Sequence, residues 1–100
     1  MIERHAIYKL HDSSGTYAIV LSYPGIELSG AVIVAPLLCR DEIAVVPILH
    51  PVISTPIGER VVVTERLAAI SPRLLGEALG AFDDTQFVIS KALSRLFNGN

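Results

Sequence analysis

The chain has 100 residues, 51% hydrophobic and 18% charged; this describes one domain, 1–100, with a real core, and excludes a disordered chain. A net charge of −2 without any basic run gives no sign of the phosphate-neutralising patch of nucleic-acid binders, so direct nucleic-acid binding is not expected. No stretch approaches the roughly 18 apolar residues of a membrane span, no signal-length apolar run follows Glu3 and Arg4, and the single Cys39 leaves no internal disulfide, so a cytoplasmic chain with a buried thiol is expected.

Residues 4–10 alternate His5, Ile7 and Lys9 with Ala6, Tyr8 and Leu10, the period of a strand with one core face. Asp12-Ser13-Ser14-Gly15 is a turn cluster, and Tyr17 to Tyr23 is a second strand that completes a hairpin. Pro24-Gly25 breaks the run. Residues 31–35 are apolar on both faces and read as a third strand, central or under a dimer contact, ended by Pro36. Residues 43–49 read as a fourth strand in which Pro47 marks an edge or a bulge. Pro51 to Pro56 is strand-like or a proline-pinned loop, and residues 59–64 form a fifth strand.

The pattern then changes period. Ser71 can cap a short helix with Pro72 at its first position, and Leu74, Leu75 and Leu79 form its stripe between Arg73 and Ala81. Asp83 and Gln86 resemble a capping box for a final helix over residues 84–97, with Ile89, Ala92, Leu93 and Leu96 facing the core. Asn98, Gly99 and Asn100 follow as a tip free to touch a partner. About five strands followed by helices describe an α+β domain with a curled antiparallel sheet. The low charge implies that a second copy of the chain covers some apolar surface.

Candidates for chemistry are sparse. His5, His11 and His50 stand at no metal-ligand spacing, so no metal or other cofactor is expected. The pairs Asp41-Glu42 and Asp83-Asp84 suit a turn and a helix start better than acid–base catalysis. Ser22, Ser54, Thr55, Thr64, Ser90, Ser94 and Cys39 are the possible nucleophiles, and none lies in a nucleophile-elbow or phosphate-cradling motif. A metal-free ribonuclease needs a phosphate-positioning arginine near a base or hydroxyl; Arg60, Arg66 and Arg73 are the plausible ones, though surface solubility explains them more simply. These residues favour a binding protein over an enzyme.

Several short motifs nevertheless agree in order and spacing with one family. Gly30 followed by Val34-Ala35-Pro36-Leu37, the segment Val46-Pro47-Ile48-Leu49-His50, the stretch Thr64 to Ala69, the pair Gly76-Glu77, and Ile89, Ala92 and Leu96-Phe97 resemble the CcdB family, the toxin half of a toxin–antitoxin pair that poisons DNA gyrase. The resemblance spans nearly the whole chain. It implies an SH3-like barrel with a C-terminal helix, related to the MazF fold. It also implies a homodimer that binds the GyrA component of DNA gyrase and traps the cleaved-DNA complex, and an antitoxin with a disordered C-terminal segment. It implies no enzymatic activity.

Carried over by position, the gyrase contact falls on Phe97, Asn98, Gly99 and Asn100, and the dimer interface on Val20, Leu21, Ile33 and Val34. Asn98 and Asn100 replace the family's tryptophan and isoleucine, and an amide cannot stack on an arginine as an aromatic face does. A weakened or retargeted poison is the expectation. A non-toxic antitoxin-binding or structural dimer, and a metal-independent mRNA endoribonuclease of the related fold, remain the alternatives.

Overall fold

The period-two alternation of the N-terminal half forms a hairpin as expected. In the computed structural model, which describes residues 2–12, 14–81 and 85–100, β1 (Ala6–Leu10) pairs antiparallel with β2 (Tyr17–Val20), Ile7 opposite Ile19 and Lys9 opposite Tyr17. Asp12 tightens the turn: its carboxylate accepts the Ser14 N–H at 2.9 Å and the Ser14 hydroxyl at 2.5 Å.

β3 (Val32–Leu38) pairs with β2 on one edge, Ile19 opposite Ala35, and it does not stop at Pro36. A strand residue directs its N–H and C=O to the same edge, and the Pro36 carbonyl accepts the Val63 N–H at 3.1 Å. The missing proline donor therefore faces a gap in the ladder. β5 (Gly58–Val62) pairs with the end of β3 at Leu37 and Leu38. β6 (Ala68–Ile70) pairs with its start at Val32 to Val34. Between them the chain makes a 3-10 turn, Thr64–Arg66. Proline is tolerated at the one place where no ladder donor is required. β4 (Val52–Thr55) forms a hairpin with β5.

The stripe read as a short helix over residues 73–81 is instead a strand, β7 (Leu75–Ala81), paired with β1. The Ser71 cap is real, but it serves only the 3-10 turn Pro72–Leu74, with the Arg73 N–H on Ser71 Oγ at 3.3 Å. Two glycines explain the outcome. A Cβ on Gly76 would lie 2.7 Å from the Lys9 carbonyl oxygen, so only glycine lets β7 approach β1 there. Gly80 has φ +117°, outside the helical region, and sits where the β1–β7 register shifts at a bulge.

Among the described residues the sheet has seven strands rather than about five, in the order β4-β5-β3-β2-β1-β7 with β6 added to β3. It is an open, curled antiparallel sheet with a C-terminal helix, the SH3-like barrel class expected. Its central strands are apolar on both faces. Ile7, Ile19, Leu21, Ala35, Leu37, Ile53 and Val62 pack with Ile89 of α1 (Gln86–Asn98). Ala18, Val20, Val32 and Val34 form the other core, flanked by Ile2, Tyr8, Leu10, Ile70 and Leu75. In α1, Ile89 and Ala92 are buried and Leu93 and Leu96 half-buried, the stripe read from the sequence. The helix ends on Gly99, whose N–H bonds the Arg95 carbonyl at 3.0 Å. The capping box expected at Asp83 lies outside the described residues. No helix among the described residues is long and apolar enough to cross a membrane.

Residues 43–49 are not a strand. The backbone groups of Val46 are spent on His50 instead of on a neighbouring strand. The Val46 N–H donates to His50 Nδ1 at 2.9 Å, and the His50 N–H returns to the Val46 carbonyl at 2.9 Å. Because Nδ1 accepts, the ring proton is assigned to Nε2, which donates to Glu65 Oε1 at 2.7 Å. The Thr64 hydroxyl holds the Leu49 carbonyl at 2.6 Å. Ile48 is driven to φ +72°, a left-handed conformation that costs a β-branched residue about 1–3 kcal/mol.

The helix contributes to the fold through one side chain above all. Ile89→Ala, at a fully buried position, is expected to lower stability by about 2–5 kcal/mol in urea unfolding. Ser90→Ala on the exposed face should change it by less than about 0.5 kcal/mol.

Candidate functional site

The turn between β1 and β2 separates two surface hollows. The larger, about 440 Å³, is lined by Lys9, Leu10, His11, Asp12, Gly76 and Glu77, along the close approach of β7 to β1. The smaller, about 260 Å³, gathers residues from four parts of the chain: Ser14, Gly15 and Thr16 from the turn with Tyr17 at the start of β2, Leu37 and Leu38 from the end of β3 with Cys39 just beyond it, Glu42 from the 3-10 turn Arg40–Glu42, and Arg60 from β5. Register explains the gathering. Leu38 stands opposite Val61, so one step further along the antiparallel pair brings Cys39 beside Arg60.

The charges of this cleft constrain one another. Glu42 Oε1 accepts the Cys39 N–H at 2.7 Å. That bond, the Cys39 thiol and the nearby Arg60 hold the Glu42 carboxyl below its ordinary range. The thiol is pushed up, first because it donates to Glu42 and then by desolvation, with Arg60 opposing. The cleft thus holds a fixed cation, an ionised carboxylate and a protonated thiol. Arg60 is half-buried, with Nη1 donating to the Glu59 carbonyl at 2.9 Å. Arg40, by contrast, is engaged with Glu59 at 3.3 Å in an exposed pair of little energetic weight. Cys39, Asp41 and Glu42 each place a donor atom within 4.8 Å of the others, but both carboxylates are exposed and the thiol keeps its proton, a poor cage for a cation. Chemically, the arrangement can grip an anion on Arg60 and accept a proton on Glu42.

The other residues singled out from the sequence lie elsewhere. Phe97, Asn98, Gly99 and Asn100 are exposed at the end of α1. The Phe97 ring, 70% exposed, borders an apolar hollow of about 310 Å³ lined also by Leu21, Ser22, Ile33, Leu67 and Leu93. Val20, Leu21 and Val34 are buried within the single chain, and Ile33 is half-buried. Arg66 and Arg73 are exposed on 3-10 turns and line neither cleft. Of the three arginines, only Arg60 meets a carboxylate and hydroxyl-bearing residues in a concave site. Sequence reasoning misses Glu42, Ser14 and Thr16 as its partners, because spacing along the chain does not reveal the β3–β5 register.

No family model matches the chain, and no curated protein matches it in sequence. Solved structures do match its fold. The Mycobacterium tuberculosis toxin MazF-mt6 is similar with a TM-score of 0.77 at 14% identity, over 93% of this chain and 96% of that one. An endoribonuclease in complex with its cognate antitoxin, from a mycobacterial species, is similar with a TM-score of 0.79 at 16% identity, over 98% of this chain and 96% of that one.

These matches correct the CcdB resemblance. The likeness falls on a MazF toxin and an endoribonuclease, so the expectation of a topoisomerase inhibitor that binds the GyrA component of DNA gyrase is overturned. The expectations of no enzymatic activity and of no direct nucleic-acid contact fall with it, since an endoribonuclease acts on RNA. The reason is physical. Pro36 within β3 and Gly76 against the Lys9 carbonyl serve to build the barrel, and motifs that build a barrel carry no information about its target. At the tip, Asn98 and Asn100 stand where the resemblance implies a tryptophan and an isoleucine.

The coupling of Cys39 to Glu42 is directly measurable. Glu42→Gln is expected to lower the thiol toward its ordinary value of 9.0, seen as faster iodoacetamide alkylation of Cys39 at mildly alkaline pH. An unchanged alkylation profile would show that the carboxylate does not govern the thiol.

Proposed function

We propose that this chain is the toxin of a toxin–antitoxin pair and cleaves single-stranded RNA, without a metal ion, at the Cys39–Glu42–Arg60 cleft. The observation that carries this reading is the convergence of Arg60 and Glu42 in one cleft, on a fold shared with an endoribonuclease over nearly the whole chain. Arg60 would hold the scissile phosphate and neutralise the charge that builds on its oxygens. Glu42, ionised at neutral pH, would take the proton of the ribose 2′-hydroxyl as that oxygen attacks the adjacent phosphorus. The bond to the 5′-oxygen breaks, and that oxygen takes a proton from water in the open cleft. The products are a 2′,3′-cyclic phosphate and a 5′-hydroxyl.

The structural match to a toxin seen with its antitoxin supports an antitoxin partner for this chain too. Exposed apolar side chains at Tyr23, Leu28 and Phe97, 71%, 90% and 70% accessible, support a homodimer. With one cysteine and no disulfide to maintain, the reducing cytoplasm is the compartment that fits.

The test is cleavage of a labelled single-stranded RNA by the purified protein in EDTA. Cleavage is expected to persist in EDTA, to yield cyclic phosphate ends, and to vanish when every ribose is replaced by deoxyribose. Arg60→Ala should reduce kcat/KM by about 10²–10³-fold. Glu42→Gln should reduce it by about 10²–10⁴-fold. Because Glu42 lies below the ordinary glutamate value of 4.5, the acid limb of the rate profile should fall below that pH. A folded dimer that leaves RNA intact, or variants as active as the parent, would sink the proposal.

A further inference from the structure

The segment from Ile43 to Leu49 carries no charged side chain, yet it runs along the surface with Ala44, Val46, Pro47 and Ile48 exposed. No strand or helix secures it. At its far end it is fastened to His50, which is itself buried: the side chain is 3% exposed, against 38% for its partner Glu65. We propose that His50 is an acid-sensitive latch: protonation at Nδ1 breaks its bond to the Val46 N–H and loosens the apolar turn 46–50 at that point, while the ring stays on Glu65 and the Leu49 carbonyl stays on Thr64.

The neutral ring has one acceptor nitrogen and one donor nitrogen, and the fold uses both, Nδ1 for the Val46 N–H and Nε2–H for Glu65. A proton added at Nδ1 converts that acceptor into a donor facing another donor. The same proton turns the Nε2–H bond to Glu65 into a charge-assisted ion pair, so the ring gains on one side what it loses on the other. The segment bears the loss. Ile48, held left-handed at φ +72°, lies inside this turn, which loses one of the two bonds that join Val46 to His50 and keeps the backbone one.

Among the described residues, Glu65 is the charged group in contact with the ring. Glu65 faces Nε2 and Arg66 adjoins it on the same turn. The helix α1, which packs on that turn, carries Lys91 and Arg95, both exposed. Burial pushes the Glu65 carboxyl up, but its own backbone N–H, the His50 ring and Arg66 more than offset this, so it lies below the ordinary value of 4.5 and stays ionised while a histidine titrates. The segment begins directly after Glu42.

The experiment is NMR of the full chain, labelled with nitrogen-15, from about pH 8 to about pH 5, around the ordinary histidine range. The His50 ring nitrogens and the Val46 amide are followed together. At the neutral end Nδ1 should be unprotonated. On acidification the Val46 amide should lose its bonded shift and its exchange protection at the same midpoint as the ring gains its proton. His50→Gln can accept from Val46 and donate to Glu65 but cannot titrate, so it should keep Val46 protected throughout. Three results would overturn the latch: Val46 protected while the ring is charged, the same step in His50→Gln, or a ring that takes no proton before the fold melts. No RNA is involved, so the latch and the ribonuclease reading fail separately.

Discussion

The fold depends on β3 being bonded along both edges and apolar on both faces. One edge takes β2; the other takes β5 at its end and β6 at its start. One face lies in the core with Ile89 and the other in the core of Val20 and Val32. A strand with no wet face and no open edge cannot slip by a residue without moving an entire row of side chains into the wrong core. The register of every neighbouring strand therefore follows from that of β3.

The cleft is a consequence of that constraint. Where β3 leaves the sheet at Leu38, its pairing with Val61 sets Cys39 beside Arg60. The 3-10 turn that follows is closed by the Glu42 carboxylate on the Cys39 N–H, which fixes the carboxylate on the same side as the guanidinium. Two opposite charges that attract across an open cleft are held by backbone geometry rather than by each other. They can part to admit an anion without loss of the fold, which a buried ion pair cannot do.

Much of this is legible in the residues. Alternation in 4–10, the aromatic and β-branched run expected over 17–23 and realised as a strand over Tyr17–Val20, doubly apolar character in 31–35 and the stripe of Ile89, Ala92, Leu93 and Leu96 lead directly to the hairpin, the central strand and the helix. The failures share one cause, since each comes from reading a local pattern without its tertiary neighbour. Residues 43–49 have strong strand character, but His50 captures the Val46 N–H that a ladder would need. Leu74, Leu75 and Leu79 have helical spacing, but β1 needs an edge partner, and Gly76 and Gly80 let β7 supply it. Pro36 reads as a terminator because nothing local reveals that the ladder has a gap beside it. In the cleft, Arg60 is visible from the sequence as a candidate while Glu42 reads as a turn residue. Arg60 does sit at a candidate site and Glu42 does close a turn, and only the β3–β5 register joins them.

The charge balance constrains how such a cleft can bind RNA. Affinity from phosphate neutralisation requires several cations, each releasing condensed counterions. Here the net charge is −2, and of the cations near the cleft Arg40 is engaged by Glu59 while Arg60 stands against Glu42. An RNA bound here, on the function proposed above, would draw little affinity from the general field of the protein. Its binding energy would come from direct contacts, and Tyr17, half-buried at the cleft wall, presents the one aromatic side chain lining it among the described residues. Stacking on an aromatic ring contributes about 1–3 kcal/mol per base and needs no net charge. On that proposal a single arginine would be sufficient, because in a cleft of mixed charge it would have to distinguish the scissile phosphate by position and not by bulk attraction.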